Sequence, residues 1–419
     1  MDKKTKTLIL MVIALLLGYL PWYNFSAVVG FIAEDFTLSS SQTGMILSVF
    51  QLGYVVVVLI TGWLADKIGT KKVVSWATLF TAIFSTLFAF LAKDFTSIMI
   101  LRLLTGLSAG AIYAPGMALL SNWFAPEERG KALGAYTAGL VAASAGGYFV
   151  AAPLAAAYSW QVGILATSLP VFIAAIIMFF FIEERPSDES LSYDGAPGIA
   201  VGQPAPAGGF KGPVLLTGSY MGHMWELYAF WGWIGPFMVA CAVAVGKTVT
   251  EAVSLGGLLA ALIILIGAPA VYLLGIAADK YGRTKTIMVA ATCSLVPQFF
   301  FGYMYGMSLP LVVAIGVWIG FWVIADSAIY KAGLTEMTED RVRTTILSIQ
   351  SAVGYSMTIL APMAFGWLLQ YLNPGVETTM ATNWGLCFVM LGVGALFAPI
   401  LAYFTRKVPQ AKLMTGGKM

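Results

Sequence analysis

Twelve apolar runs, each about as long as a bilayer is thick, leave this chain few structures to choose from. They lie at roughly 8–32, 43–65, 73–92, 96–121, 131–157 and 161–182, and then at 213–240, 252–277, 286–305, 309–331, 344–371 and 381–404. About 20 apolar residues span the hydrocarbon core as a helix. Lipid offers no hydrogen-bond partners, so a spanning backbone must satisfy itself internally. The expected fold class is therefore an all-α membrane protein of twelve transmembrane helices. Composition agrees, with 59% hydrophobic and 10% charged residues against about 25% charged in a soluble domain. The first run follows Lys3, Lys4 and Lys6 and is too long for a signal-peptide core, so it reads as the first span.

The stretch between the sixth and seventh runs is rich in Pro, Gly, Ser and charge and has nothing to bury. It divides the chain into an N-terminal six-helix bundle (1–182), a linker (183–212) and a C-terminal six-helix bundle (213–419). The halves are related. Gly62-Trp-Leu-Ala-Asp66-Lys67-Ile-Gly69-Thr-Lys71-Lys72 follows the second run, and Gly275-Ile-Ala-Ala-Asp279-Lys280-Tyr-Gly282-Arg283-Thr-Lys285 follows the eighth. An internal repeat in so apolar a chain points to a transporter whose two bundles rock about a central site.

Positive charge sets the expected orientation. With the N-terminus cytoplasmic, all but Lys93, Arg102 and Lys247 of the 23 Lys and Arg fall in or beside cytoplasmic segments. This bias predicts a multi-pass protein of the cell membrane with both termini cytoplasmic. The cations sit in short loops, so nucleic acid is not an expected partner. Cys241, Cys293 and Cys387 lie inside apolar runs and read as packing residues.

These features together resemble the major facilitator superfamily over nearly the whole chain. The two repeated loops are similar to that family's signature between spans 2 and 3 and between spans 8 and 9. Arg102-Leu-Leu-Thr-Gly106 resembles its intramembrane Arg motif, and Asn122-Trp-Phe-Ala-Pro-Glu-Glu-Arg129-Gly130-Lys-Ala-Leu-Gly134 its loop between spans 4 and 5. The resemblance implies two pseudo-symmetric six-helix bundles and alternating access. It also implies a latch between the halves, with Asp66 facing Arg341 and Arg343, and Asp279 facing Arg129 and Lys131. The Gly-Pro pair that many drug-exporting antiporters carry in span 5 is absent from Gly139–Tyr148. The nitrate/nitrite branch fits poorly, since spans 2 and 8 contain no internal Arg.

Intramembrane charges are the candidate site, because each costs about 2.5–3.5 kcal/mol at mid-depth and needs a partner or a purpose. Arg102 can bind an anionic solute, support a nearby carboxyl or bond to helix carbonyls. His223 and Glu226, three apart on one helical face, can carry a coupling proton or bond to each other, since burial favours the uncharged form of each. Asp326 is expected to face the cavity or to partner a span 7 group, and Lys331 to snorkel to the cytoplasmic edge. Tyr19, Trp22 and Tyr23 of span 1 and Trp225, Tyr228 and Trp231 of span 7 are the expected aromatic lining, with Trp233 a candidate interfacial anchor.

No cofactor or metal is expected, and no catalytic motif argues for an enzyme. The reading is a monomeric secondary transporter of a small organic anion such as a carboxylate, working as a proton-coupled symporter in the lipid bilayer. The alternative is a proton-coupled antiporter exporting an amphipathic or cationic compound.

Overall fold

The computed structural model describes residues 2–124, 126–184, 209–338 and 340–418, and the backbone only of residues 62, 66, 126, 127, 129–131, 340–345 and 416. Among the described residues are twelve helices long and apolar enough to cross a membrane, and no strand. The first six are α1 (Lys3–Phe36), α2 (Ser40–Thr61), α3 (Thr70–Leu91), α4 (Phe95–Ser121), α5 (Ala132–Ala157) and α6 (Trp160–Phe181). The second six are α7 (Lys211–Ala244), α8 (Val249–Tyr281), α9 (Arg283–Met304), α10 (Leu309–Met337), α11 (Ile346–Leu372) and α12 (Gly385–Arg406). Most of the expected linker lies outside the described residues, and α7 already begins at Lys211.

The sequence marks where these helices start, stop and break. Ser39, Asp94 and Thr248 each cap the helix that follows and are capped in return by the residue three further on. The Ser97 N–H donates to Asp94 and holds that loop carboxyl below its usual range. Pro21, which has no N–H to give, sits in a 3-10 turn (Leu20–Trp22) that breaks α1 at mid-depth. The repeated loops turn on equivalent glycines. Gly69 has φ 94° and Gly282 φ 102°, each ending one helix and starting the next. Only glycine adopts that backbone cheaply, which accounts for the residue in both copies of the motif.

An even number of spans puts both chain ends on one side, called here the termini side. α7 is the most enclosed helix: His223, Glu226, Phe230, Trp233 and Phe237 are all buried. Elsewhere large apolar side chains such as Trp63, Phe180 and Tyr371 are exposed around the outside, as expected where lipid is the solvent. Trp233 is not one of them. It is fully buried, stacks on Phe365 at 4.8 Å and donates its indole N–H to Pro362 O, so the interfacial expectation fails.

α2 of the first half and α11 of the second approach closely away from the termini. A Cβ on Gly44 would stand 2.8 Å from Pro362 O and 3.1 Å from Gly366 Cα. Any larger residue there would hold the halves apart.

Candidate functional site

Arg102 is held at the break in α1. Its Nη1 donates to Pro21 O at 3.1 Å and its Nη2 to Trp22 O at 3.0 Å, two carbonyls that the 3-10 turn frees from the helix. The guanidinium carbon stacks 4.3 Å from the Phe50 ring centroid. Nε is buried without a partner, and among the described residues no carboxylate pairs with this cation. Arg102 therefore does bond to helix carbonyls, but it also walls a cavity between the halves, with Trp22, Tyr23, Phe50, Tyr228 and Gly232.

That cavity measures about 10 Å³, room for about one water. On the side away from the termini, Tyr148 OH donates to Trp231 O at 2.8 Å and Ser48 Oγ to Ile359 O at 2.7 Å. There too Ser40 meets Thr378 Oγ1 and Gln370 Oε1, both at 3.0 Å. Ser26 Oγ also donates to Gly232 O. On the termini side of the cavity the rings of Tyr54 and Tyr355 meet at 5.7 Å. The halves have closed around the site.

The aromatic lining is smaller than expected. Trp22, Tyr23 and Tyr228 line the cavity. Tyr19 lies behind Trp22, 4.8 Å between centroids, and donates to Ala109 O. Trp231 stands edge-on to Tyr23 at 6.0 Å. Trp225 packs on α12, where a Cβ on Gly394 would come within 2.3 Å of its indole nitrogen, so it belongs to helix packing.

His223 and Glu226 do not form a pair. His223 Nδ1 lies 2.9 Å from Asp326 Oδ1, and its Nε2 2.7 Å from Ser327 Oγ, both partners on α10. Glu226 turns to α9, accepting from Ser294 Oγ at 3.0 Å and Gln298 Nε2 at 3.1 Å. Asp326 is thus the partner of a span 7 group, as one of the two sequence readings had it, and its Oδ2 is buried and unbonded. Ser294 and Gln298 escaped the sequence reading, although two polar residues four apart in an apolar run flag a polar helix face.

The fold and this divided polar core are what a two-bundle transporter needs, and the sequence profile of the Major Facilitator Superfamily matches residues 11–246, more than half of the chain. The chain belongs to the major facilitator superfamily. Among curated relatives, it is 30% identical over 185 residues to the hexuronate transporter of Bacillus subtilis, a match spanning 44% of each chain. It is 27% identical over 200 residues to the galacturonate transporter of Dickeya chrysanthemi, covering 47% of this chain and 56% of that one. The chain thus matches about half the length of these relatives. The fold is also that of a solved bacterial homologue of the human lysosomal transporter Spinster, with a TM-score of 0.77 at 15% identity over 97% of this chain and 98% of that one.

Of the side chains in the expected latch of this superfamily member, only that of Asp279 is described. The side chains of Asp66, Arg129, Arg341 and Arg343 lie outside the described residues. In the second loop, Asp279 Oδ1 pairs with Arg283 Nη1 at 2.6 Å, inside its own motif. Arg283 Nη2 reaches on to Glu336 Oε1 of α10 at 2.8 Å, and Glu336 accepts from Thr415 N in the C-terminal turn Pro409–Gly417. The sequence reading did not anticipate Arg283 as the partner of Asp279.

Proposed function

We infer that this superfamily member carries a small organic carboxylate across the cell membrane by alternating access, with proton coupling, and with both termini cytoplasmic. One observation carries the reading: Arg102 is a desolvated cation on the wall of the inter-half cavity, and among the described residues no carboxylate neutralises it. A buried charge without a counterion is costly, and a carboxylate solute would supply one. Relatives named for hexuronate and galacturonate, both sugar acids, support the same chemistry. The Lys and Arg asymmetry supports the orientation.

The residues for the coupling proton lie one layer behind the cavity. Among the described residues Glu226 accepts from the neutral donors Ser294 and Gln298, and Asp326 pairs with His223. Neither carboxylate reaches the cavity wall, which disfavours the alternative in which one of them meets a cationic solute.

Uptake into sealed proteoliposomes is the test. D-Galacturonate, D-glucuronate and nicotinate should each be tried with an imposed inward proton gradient. Accumulation of at least one carboxylate, abolished by collapsing the gradient, is expected. Flux of amphipathic cations with none of any carboxylate would overturn the reading.

A further inference from the structure

Lys331 has no part in the site above, and the structure does not leave it snorkelling. It lies six residues before the end of α10, about 9 Å along the helix from the termini side. Its Nζ donates to Ser351 Oγ of α11 at 2.7 Å and stands 4.6 Å from the Tyr220 ring centroid of α7. The side chain is half-buried, and among the described residues no carboxylate pairs with it. An ammonium has three donors, and the Ser351 contact uses one.

Position on α11 shows what the ammonium faces. Ser351 and Tyr355 are four apart and so share a helical face. Tyr355 meets Tyr54 of the first half across the route, and Ser351 lies one turn nearer the termini. Lys331 thus points at the route just beyond the Tyr54–Tyr355 contact. Arg102 lies at a different depth, seven residues into α4 from its other end, about 10 Å from that face.

We propose that Lys331, with Ser351 and Tyr220, forms a second carboxylate-binding site on the termini side of the route, occupied in turn with the Arg102 level during each transport cycle. This rests on the reading that the solute is an organic carboxylate. When the halves part on the termini side, the two spare ammonium donors meet the solute's carboxylate, and the Tyr220 face covers its apolar side. The cation then changes partner from a neutral hydroxyl to an anion.

The experiment compares wild type, Lys331→Gln, Lys331→Met and Lys331→Arg in proteoliposomes, with D-galacturonate, D-glucuronate and nicotinate as probes and flux measured from each face. For Gln and Met, KM from the termini side should rise at least tenfold, while KM from the opposite face stays within threefold. Arg should stay within threefold on both. If wild type carries a probe and the Gln and Met variants match it within twofold from the termini side, the second site is refuted and the carboxylate reading stands. If wild type neither binds nor carries any probe, both fall together. If Gln and Met both fail to fold, Lys331 is a structural residue and the proposal ends.

Discussion

Replacing Gly44 by Ala should tilt the molecule towards the state open on the side away from the termini. The added Cβ would lie 2.8 Å from Pro362 O, where ordinary contact begins at 3.4 Å, so α2 and α11 must part by about 0.6 Å. Overpacking of this kind costs about 1–3 kcal/mol. The penalty falls only on the closed arrangement, because the contact vanishes once the halves separate. A difference of that size shifts a two-state population by about 5- to 150-fold. Spin labels at Glu34→Cys and Val376→Cys, in a chain with its three native cysteines replaced by Ala, would report the distance across that side by pulsed electron resonance. The longer-distance population should grow. Gly134→Ala is the control, since a Cβ there meets nothing within 4 Å. An unchanged distance distribution in a Gly44→Ala protein that still folds would refute the view that this contact seals the route.

Arg102→Ala should abolish carboxylate transport, and wild-type uptake in that variant would remove Arg102 from the site. Arg102→Lys should fare little better, losing at least tenfold in kcat/KM, because a single ammonium cannot reproduce the fork that spans Pro21 O and Trp22 O. Glu226→Gln keeps an acceptor for Gln298 and a partner for Ser294, so folding should be spared. Proton-driven accumulation should be lost while exchange persists, and unchanged accumulation would rule Glu226 out as the proton carrier. Tyr148→Phe deletes a hydrogen bond that closes the halves, which should cost the closed state about 1 kcal/mol. The same spin-label pair should record a several-fold shift, and no shift would mean that hydroxyl contributes nothing to closure.

The spans were legible because hydrocarbon imposes a length and a polarity that no neighbour can override. The signature glycines were legible because a positive φ is a local demand, met alike at Gly69 and Gly282. The site was legible only by residue type. Spacing put His223 and Glu226 on one side of α7, but a helical face says nothing about which helix stands opposite. α10 supplied Asp326 to one and α9 supplied Ser294 and Gln298 to the other. A step of three residues also turns the helix back by about 60°, so Trp225 and Trp231 diverge by about 120° and could not line one cavity. Lys331 misled for a related reason. Snorkelling assumes lipid around the end of a span, whereas α7 and α11 enclose that depth and offer Tyr220 and Ser351.

The enclosure of α7 bears on how the chain is made. Its His223 and Glu226 find their partners on α9 and α10, which leave the ribosome later. When α7 first enters the bilayer, neither group has a protein partner, and a polar group left unpaired in hydrocarbon costs several kcal/mol. We expect α7 to linger beside the insertion machinery until α10 arrives. A chain stopped after Tyr281 should therefore be integrated poorly at α7 while its first six helices insert normally; efficient integration of α7 in that truncated chain would show that it needs no later partner. Defects in Asp326 or Ser294 would then act twice, once on transport and once, earlier, on biogenesis.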